Sequence, residues 1–202
     1  MSTKKGFTII EMLVTVGLFT IIITIAVGGF TNAIRTQRQV ASLISAQSNV
    51  SLALEQMTRA IRTGYLFCHA PGSSTYSTLC SNSSGLTCTV DGSTNVWICP
   101  SLDFYDVEGN HINYSLTNGA LTESVNSSTP QSITGNTVSV RYFQFRLLGQ
   151  LEGDNFPPRV TISLGIAPSS TDPAVANDVT NLETTVSART IDCVPNADPA
   201  SC

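Results

Sequence analysis

Lysine is almost missing from this chain. Lys4 and Lys5 are the only two in 202 residues, so every later positive charge is an arginine. After Thr63, four arginines face twelve acids. A region this acidic is poorly equipped to neutralise phosphates, which argues against broad capture of nucleic acid. Histidine is scarce too. His69 and His111 each stand alone in polar sequence, where a histidine is most simply a surface residue. No C-x-x-C pair or zinc-type spacing exists, and there is no glycine-rich phosphate loop or Gly-x-Ser-x-Gly elbow. A hydrolase needs a nucleophile beside a base, and none is found, so an enzyme is not expected. The longest gap is one of charge. Met12 to Ile34 contains no charged residue over 23 positions, and about 20 apolar residues cross a hydrocarbon core as a helix.

What stands before that gap is Lys4-Lys5-Gly6-Phe7-Thr8-Ile9-Ile10-Glu11. Glu11 needs a reason. A carboxylate at the centre of a membrane costs roughly 2.5–3.5 kcal/mol on insertion scales, so such acids have partners. No basic residue follows before Arg35. A cut before Phe7 would supply the missing cation as a free amine, four positions from Glu11. A carboxylate also suits the first turns of a helix, where the macrodipole is positive. A secretory signal fits poorly, because the run is too long and has no small-x-small site before Arg35.

Lys5-Gly6-Phe7-Thr8-Ile9-Ile10-Glu11-Met12-Leu13-Val14 resembles the N-terminal signature of type IV prepilins and type II secretion pseudopilins. The resemblance implies cleavage of a leader, residues 1–6, between Gly6 and Phe7 by a prepilin peptidase, and N-methylation of Phe7. It implies that Glu11 pairs with the Phe7 amine of an adjacent subunit during assembly. It further implies other pilin or pseudopilin subunits, an inner-membrane platform protein and an assembly ATPase as partners. The expected location is the inner membrane, single pass, with the head periplasmic or extracellular, and then the assembled filament. Losing the leader removes both lysines and moves the formal charge from −4 to −6. The competing class is a membrane-tethered adhesin or ligand-binding module that never polymerises; Gly6-Phe7 with Glu11 has no use in a mere tether.

The expected organisation is a transmembrane half-stem at residues 7–34, an amphipathic half-stem at 35–64 and a β-rich head at 65–202. The fold class is α+β, pilin-like: a long N-terminal helix whose second half packs on an antiparallel sheet. Val40, Leu43, Ile44, Val50, Leu54, Met57 and Ile61 fall near one face at helical spacing, with Arg38, Gln39, Ser45, Ser48, Asn49 and Arg59 opposite. Gly64 is the expected stop. Residues 65–101 read as mostly irregular, rich in Ser, Thr, Gly and Asn. Short strands are expected at Asn95–Cys99 and Leu102–Val107. Asn118-Gly119 marks a hairpin between Ile112–Leu116 and Leu121–Val125. Val138, Val140 and Tyr142 alternate, then Phe143, Phe145 and Leu147 shift phase by one, predicting a bulge or an edge twist. Val160 to Ile166 alternates cleanly, Val186 and Ala188 follow, and 172–178 is expected as a loop. The strands read as one sequential meander. This order is also similar to that of the larger minor pseudopilins of the J type.

Six cysteines, Cys68, Cys80, Cys88, Cys99, Cys193 and Cys202, beyond a membrane span read as disulfides in an oxidising compartment. The expected pattern is Cys193–Cys202, with the other four paired among themselves. Asp103, Asp106 and Glu108 are weak calcium candidates, since their spacing lacks a recognised loop pattern; no other cofactor is expected. Trp97, between Val96 and Ile98, is expected in the core.

Overall fold

The computed structural model describes residues 6–68, 88–92, 94, 96–149, 156–170 and 173–189. The long helix α1 spans Ile9–Thr63. The chain divides into two compact units between Ser42 and Leu43.

In the first unit every described residue from Gly6 to Ala33 is exposed. Ile9, Leu13, Ile25 and Phe30 are each at least two-thirds uncovered. The apolar stretch has a mean hydropathy of 2.4 over 18 residues, long and apolar enough to cross a membrane. Its threonines fit that solvent. Thr15, Thr20, Thr24 and Thr31 each donate their hydroxyl to a carbonyl one turn back, at 2.8–3.0 Å. The hydroxyls therefore need no water, as a lipid-facing segment requires.

The second unit opens with the remainder of α1 and carries nine strands among the described residues. These are β1 (Thr89–Asp91), β2 (Val96–Cys99), β3 (Leu102–Tyr105), β4 (His111–Thr117), β5 (Ala120–Val125), β6 (Gln131–Ser132), β7 (Val138–Leu148), β8 (Arg159–Pro168) and, after the short helix α2 (Pro173–Ala176), β9 (Thr180–Ser187). They form two antiparallel sheets. One has the order β1-β2-β7-β8-β9 and the other β3-β4-β5-β6. The single meander expected from sequence is thus corrected: β3 to β6 form a sheet of their own, and β2 leaps to β7. The segment expected as a loop at 172–178 contains α2, and β1 and β6 were not foreseen.

The local signals explain most of the remaining strands. Asn118 and Gly119 both take positive φ, 51° and 76°, as a tight hairpin turn between twisted strands demands. In β7 the register shifts between Val140 and Tyr142, leaving Arg141 outside the ladder. That extra residue explains how Val138 and Val140, then Phe143, Phe145 and Leu147, all reach the core. In β8, Val160, Ile162, Leu164 and Ile166 are buried. Trp97 is buried as expected, at 8 % exposure.

The face of α1 that enters the core differs from the expected one. Ala46, Val50, Ala53, Met57 and Ile61 are buried, at steps of four, three, four and four. Val40 and Ile44 are exposed instead, at 47 % and 61 %. Alanines let the helix approach the sheets closely, so small residues define the seam more than large ones. Asn49, expected on the outer face, accepts a hydrogen bond from the Gly135 amide at 3.0 Å. Gln56 donates to Glu123 at 3.3 Å. Arg59 pairs with Glu55 along the helix, fully in solvent, where such a pair adds little. The helix stops at Thr63 as expected, but Gly64 is required for a different reason. Its φ is not positive; a Cβ there would overlap the buried Phe104 ring.

Tyr114 and Glu123 give the head a pH signature. Tyr114 is fully buried and donates its hydroxyl to Glu123 at 2.8 Å. Burial, first, and then the Glu123 charge and hydrogen bond push its pKa far above the ordinary tyrosine value. Tyr65 and Tyr105 are raised too, burial again being the larger cause. A phenol that keeps its proton when folded but loses it when unfolded stabilises the fold below about pH 10 and withdraws that support above it. The stability of the head, and with it the melting temperature, is therefore expected to fall as pH rises beyond about 10, by up to about 1.4 kcal/mol per pH unit from Tyr114. Tyr114→Phe should melt lower at neutral pH yet decline less steeply in alkali. Thermal melts from pH 7 to 11 measure both.

Candidate functional site

The N-terminal segment is built by a helix start. Thr8 is the cap: its hydroxyl accepts the Glu11 amide at 3.4 Å and its carbonyl accepts the Met12 amide at 3.2 Å. Thr8-Ile9-Ile10-Glu11 has the Ser/Thr-x-x-Glu spacing of a capping box, a helix-start signal present in the sequence itself. The cap sets the geometry of everything upstream. Helix begins at Ile9, Phe7 stands two residues before it with three-quarters of its surface exposed, and Glu11 lies in the first turn. The carboxylate is exposed. Among the described residues no cation forms an ion pair with it. Phe7 is joined here to Gly6 by a peptide bond, so the amine that could neutralise Glu11 comes into being only on cleavage. A Cβ on Gly6 would meet nothing within 4 Å. This chain's own packing therefore sets no requirement for glycine there.

The other candidate residues lie in the second unit. Cys88 and Cys99 form a disulfide, 11 positions apart. Cys68 is also disulfide-bonded. Cys80, Cys193 and Cys202, and with them the expected Cys193–Cys202 bridge, lie outside the described residues, as does His69. The sulfurs of Cys68, Cys88 and Cys99 lie within 4.8 Å of one another. Oxidised sulfur is a poor ligand, since metals take the thiolate, so this cluster is a cross-link and not a metal centre.

The three acids named for calcium are not drawn to one point. Asp106 spends its carboxylate on its own turn, accepting the amides of Glu108 and Asn110 at 2.9 and 2.8 Å and the Asn110 side chain at 3.0 Å. Asp103 is buried on β3 and accepts from Asn113 at 2.9 Å. Glu108 is exposed and, among the described residues, its carboxylate accepts from the Asn110 side chain at 3.4 Å. His111 is not the free surface residue expected. Its Nε2 lies 3.0 Å from Asp103 without the geometry of a hydrogen bond, and its ring sits 5.3 Å from that of Tyr105.

Comparison with known proteins bears on the N-terminal segment. A family model described as the prokaryotic N-terminal methylation motif matches residues 1–27. The match covers Gly6, Phe7, Thr8 and Glu11 together with most of the exposed apolar helix. It supports a type IV pilin- or pseudopilin-like subunit, and a structural protein over an enzyme. No curated protein and no solved structure matches the chain.

Proposed function

We propose that this protein is a minor subunit of a type IV pilus or a type II secretion pseudopilus. A prepilin peptidase cuts between Gly6 and Phe7, and Phe7 is N-methylated. The stem helix then anchors the subunit in the inner membrane with its head on the far side. A platform protein and an assembly ATPase lift it into a filament in which Glu11 pairs with the Phe7 amine of a neighbour. The larger, J-type minor pseudopilin is the finer reading, on the resemblance in the order of its elements.

The observation that supports this reading is the methylation motif running directly into an apolar helix with no protein cover. An amine created at Phe7 would lie about one helical turn from Glu11, too close to the positive helix end to be comfortable without a carboxylate. The mass of the N-terminal peptide from native protein tests the proposal. Methyl-phenylalanine at position 7 is the expected result. An uncut chain beginning at Met1 favours the tethered adhesin instead. Gly6→Trp should abolish processing, since a bulky side chain then sits at the cut, while leaving the fold intact because position 6 is open. A mature mass unchanged by that substitution would refute the assigned cut.

A further inference from the structure

Three sulfurs that belong to two separate disulfides meet at one point in the head. Cys88 and Cys99 are bonded to each other, and Cys68, bonded elsewhere, keeps its sulfur within 4.8 Å of both. Cys68 and Cys99 are buried, and Cys88 is half-buried at the rim. The backbone holds Cys68 in place. Its amide donates to the Asp103 carbonyl of β3 at 2.8 Å, and both Cys68 and Leu66 adopt left-handed φ, near 55°. For non-glycine residues that conformation is uncommon and is kept only where the surroundings impose it. Cys99 is fixed by its pairing with Phe145 in the centre of the larger sheet.

Disulfides exchange when a thiolate attacks a disulfide sulfur, and access is one of the terms that sets the rate. Sulfurs this close need only side-chain rotation to come into contact. We propose that Cys68, Cys88 and Cys99 form a thiol–disulfide exchange triad, through which the cross-links of the head isomerise within the folded protein. When the bond between Cys68 and its partner is open, the Cys68 thiolate attacks Cys88 or Cys99. One S–S bond forms, the Cys88–Cys99 bond breaks, and the displaced sulfur leaves as a thiolate that takes up a proton. The step is redox-neutral. Only the opening of the Cys68 bond needs a reductant, a dithiol. During oxidative folding the same step runs in reverse, so that a premature Cys68–Cys99 or Cys68–Cys88 bond resolves to Cys88–Cys99 and frees Cys68 for its own partner.

That partner is Cys80, Cys193 or Cys202, so Cys80→Ser, Cys193→Ser and Cys202→Ser are made singly in the full chain. Each is quenched in acid, unfolded, alkylated and mapped by peptide mass. In the variant that strands Cys68, the label is expected on Cys88 or Cys99 as well as on Cys68, with the matching Cys68–Cys99 or Cys68–Cys88 peptide. Label confined to Cys68, beside an intact Cys88–Cys99 peptide, overturns the proposal. So does the absence of label on all three cysteines in every variant. Limited dithiothreitol reduction of the unmutated, folded protein is the second measurement, immune to any folding defect of the variants. Mixed-linkage peptides containing Cys68 with Cys88 or Cys99 support exchange; loss of one native bond with no new linkage counts against it.

Discussion

A chain carrying Glu11→Ala should insert into the membrane and be trimmed as the unaltered chain is, yet enter filaments roughly a hundredfold less well. Insertion depends on the uncharged stretch from Met12 to Ile34, which the substitution lengthens. Under the proposed pairing, assembly depends on the acid, because without it the Phe7 amine of the neighbouring subunit would be brought into an apolar core with nothing to neutralise it. An uncompensated charge there costs roughly 2.5–3.5 kcal/mol on insertion scales, which is about two powers of ten in an equilibrium. Glu11→Gln, which keeps size and hydrogen bonding but not charge, should fail nearly as badly. Membrane fractionation and recovery in sheared filaments separate the two steps. Normal incorporation of either variant would end the pairing idea while leaving the membrane anchor untouched.

The second large effect is expected at the seam between α1 and the sheets. Met57 and Ile61 are wholly inaccessible. Met57→Ala should destabilise the head by about 2–5 kcal/mol, through lost burial and the cavity left behind. At this size each kcal/mol lowers the melting temperature by about 2–4 °C. Ile44→Ala, on a side chain 61 % exposed, should change the head's melting temperature little. Thermal melts of the detergent-solubilised chain make the comparison. Equal losses at the two positions would mean that the helix presents a different face to the sheets.

These two positions also mark where sequence stopped being legible. Met57 and Ile61 were readable as core, but Ile44 and Val40 looked equivalent to them by spacing and hydropathy. Ala46 and Ala53, the residues that set the approach distance, carry too little apolar area to stand out in a pattern of large side chains. Strands whose cues are local could be read directly. Asn118-Gly119 demands its turn, Val160 to Ile166 alternates, and the phase change in β7 signals an irregularity, though the register shifts between Val140 and Tyr142, one step before the Tyr142–Phe143 break in the pattern. β1, β6 and α2 are two to four residues long, too short for periodicity to register. The division into two sheets was illegible because the pairing of β2 with β7 bypasses everything between them, and no adjacent residues encode it. At the N-terminus the position was reversed. Charge and length single out Glu11, and the resemblance to prepilins adds Gly6 and Phe7, while the Thr8 cap beside them has no charge or hydropathy to mark it.

The two sheets have unequal timetables. Strands β3 to β6 follow one another and pair with their immediate neighbours, so that sheet can close as soon as Ser132 is available. Strand β2 can pair with β1 early, but its other edge, with Cys99 at its end, must wait until Phe145 arrives on β7. Non-local pairings are slow because chain closure is costly before they yield any contact. A covalent bond from Cys99 back to Cys88 needs no such delay, and it can hold the waiting edge in position while the rest of the polypeptide is still being made.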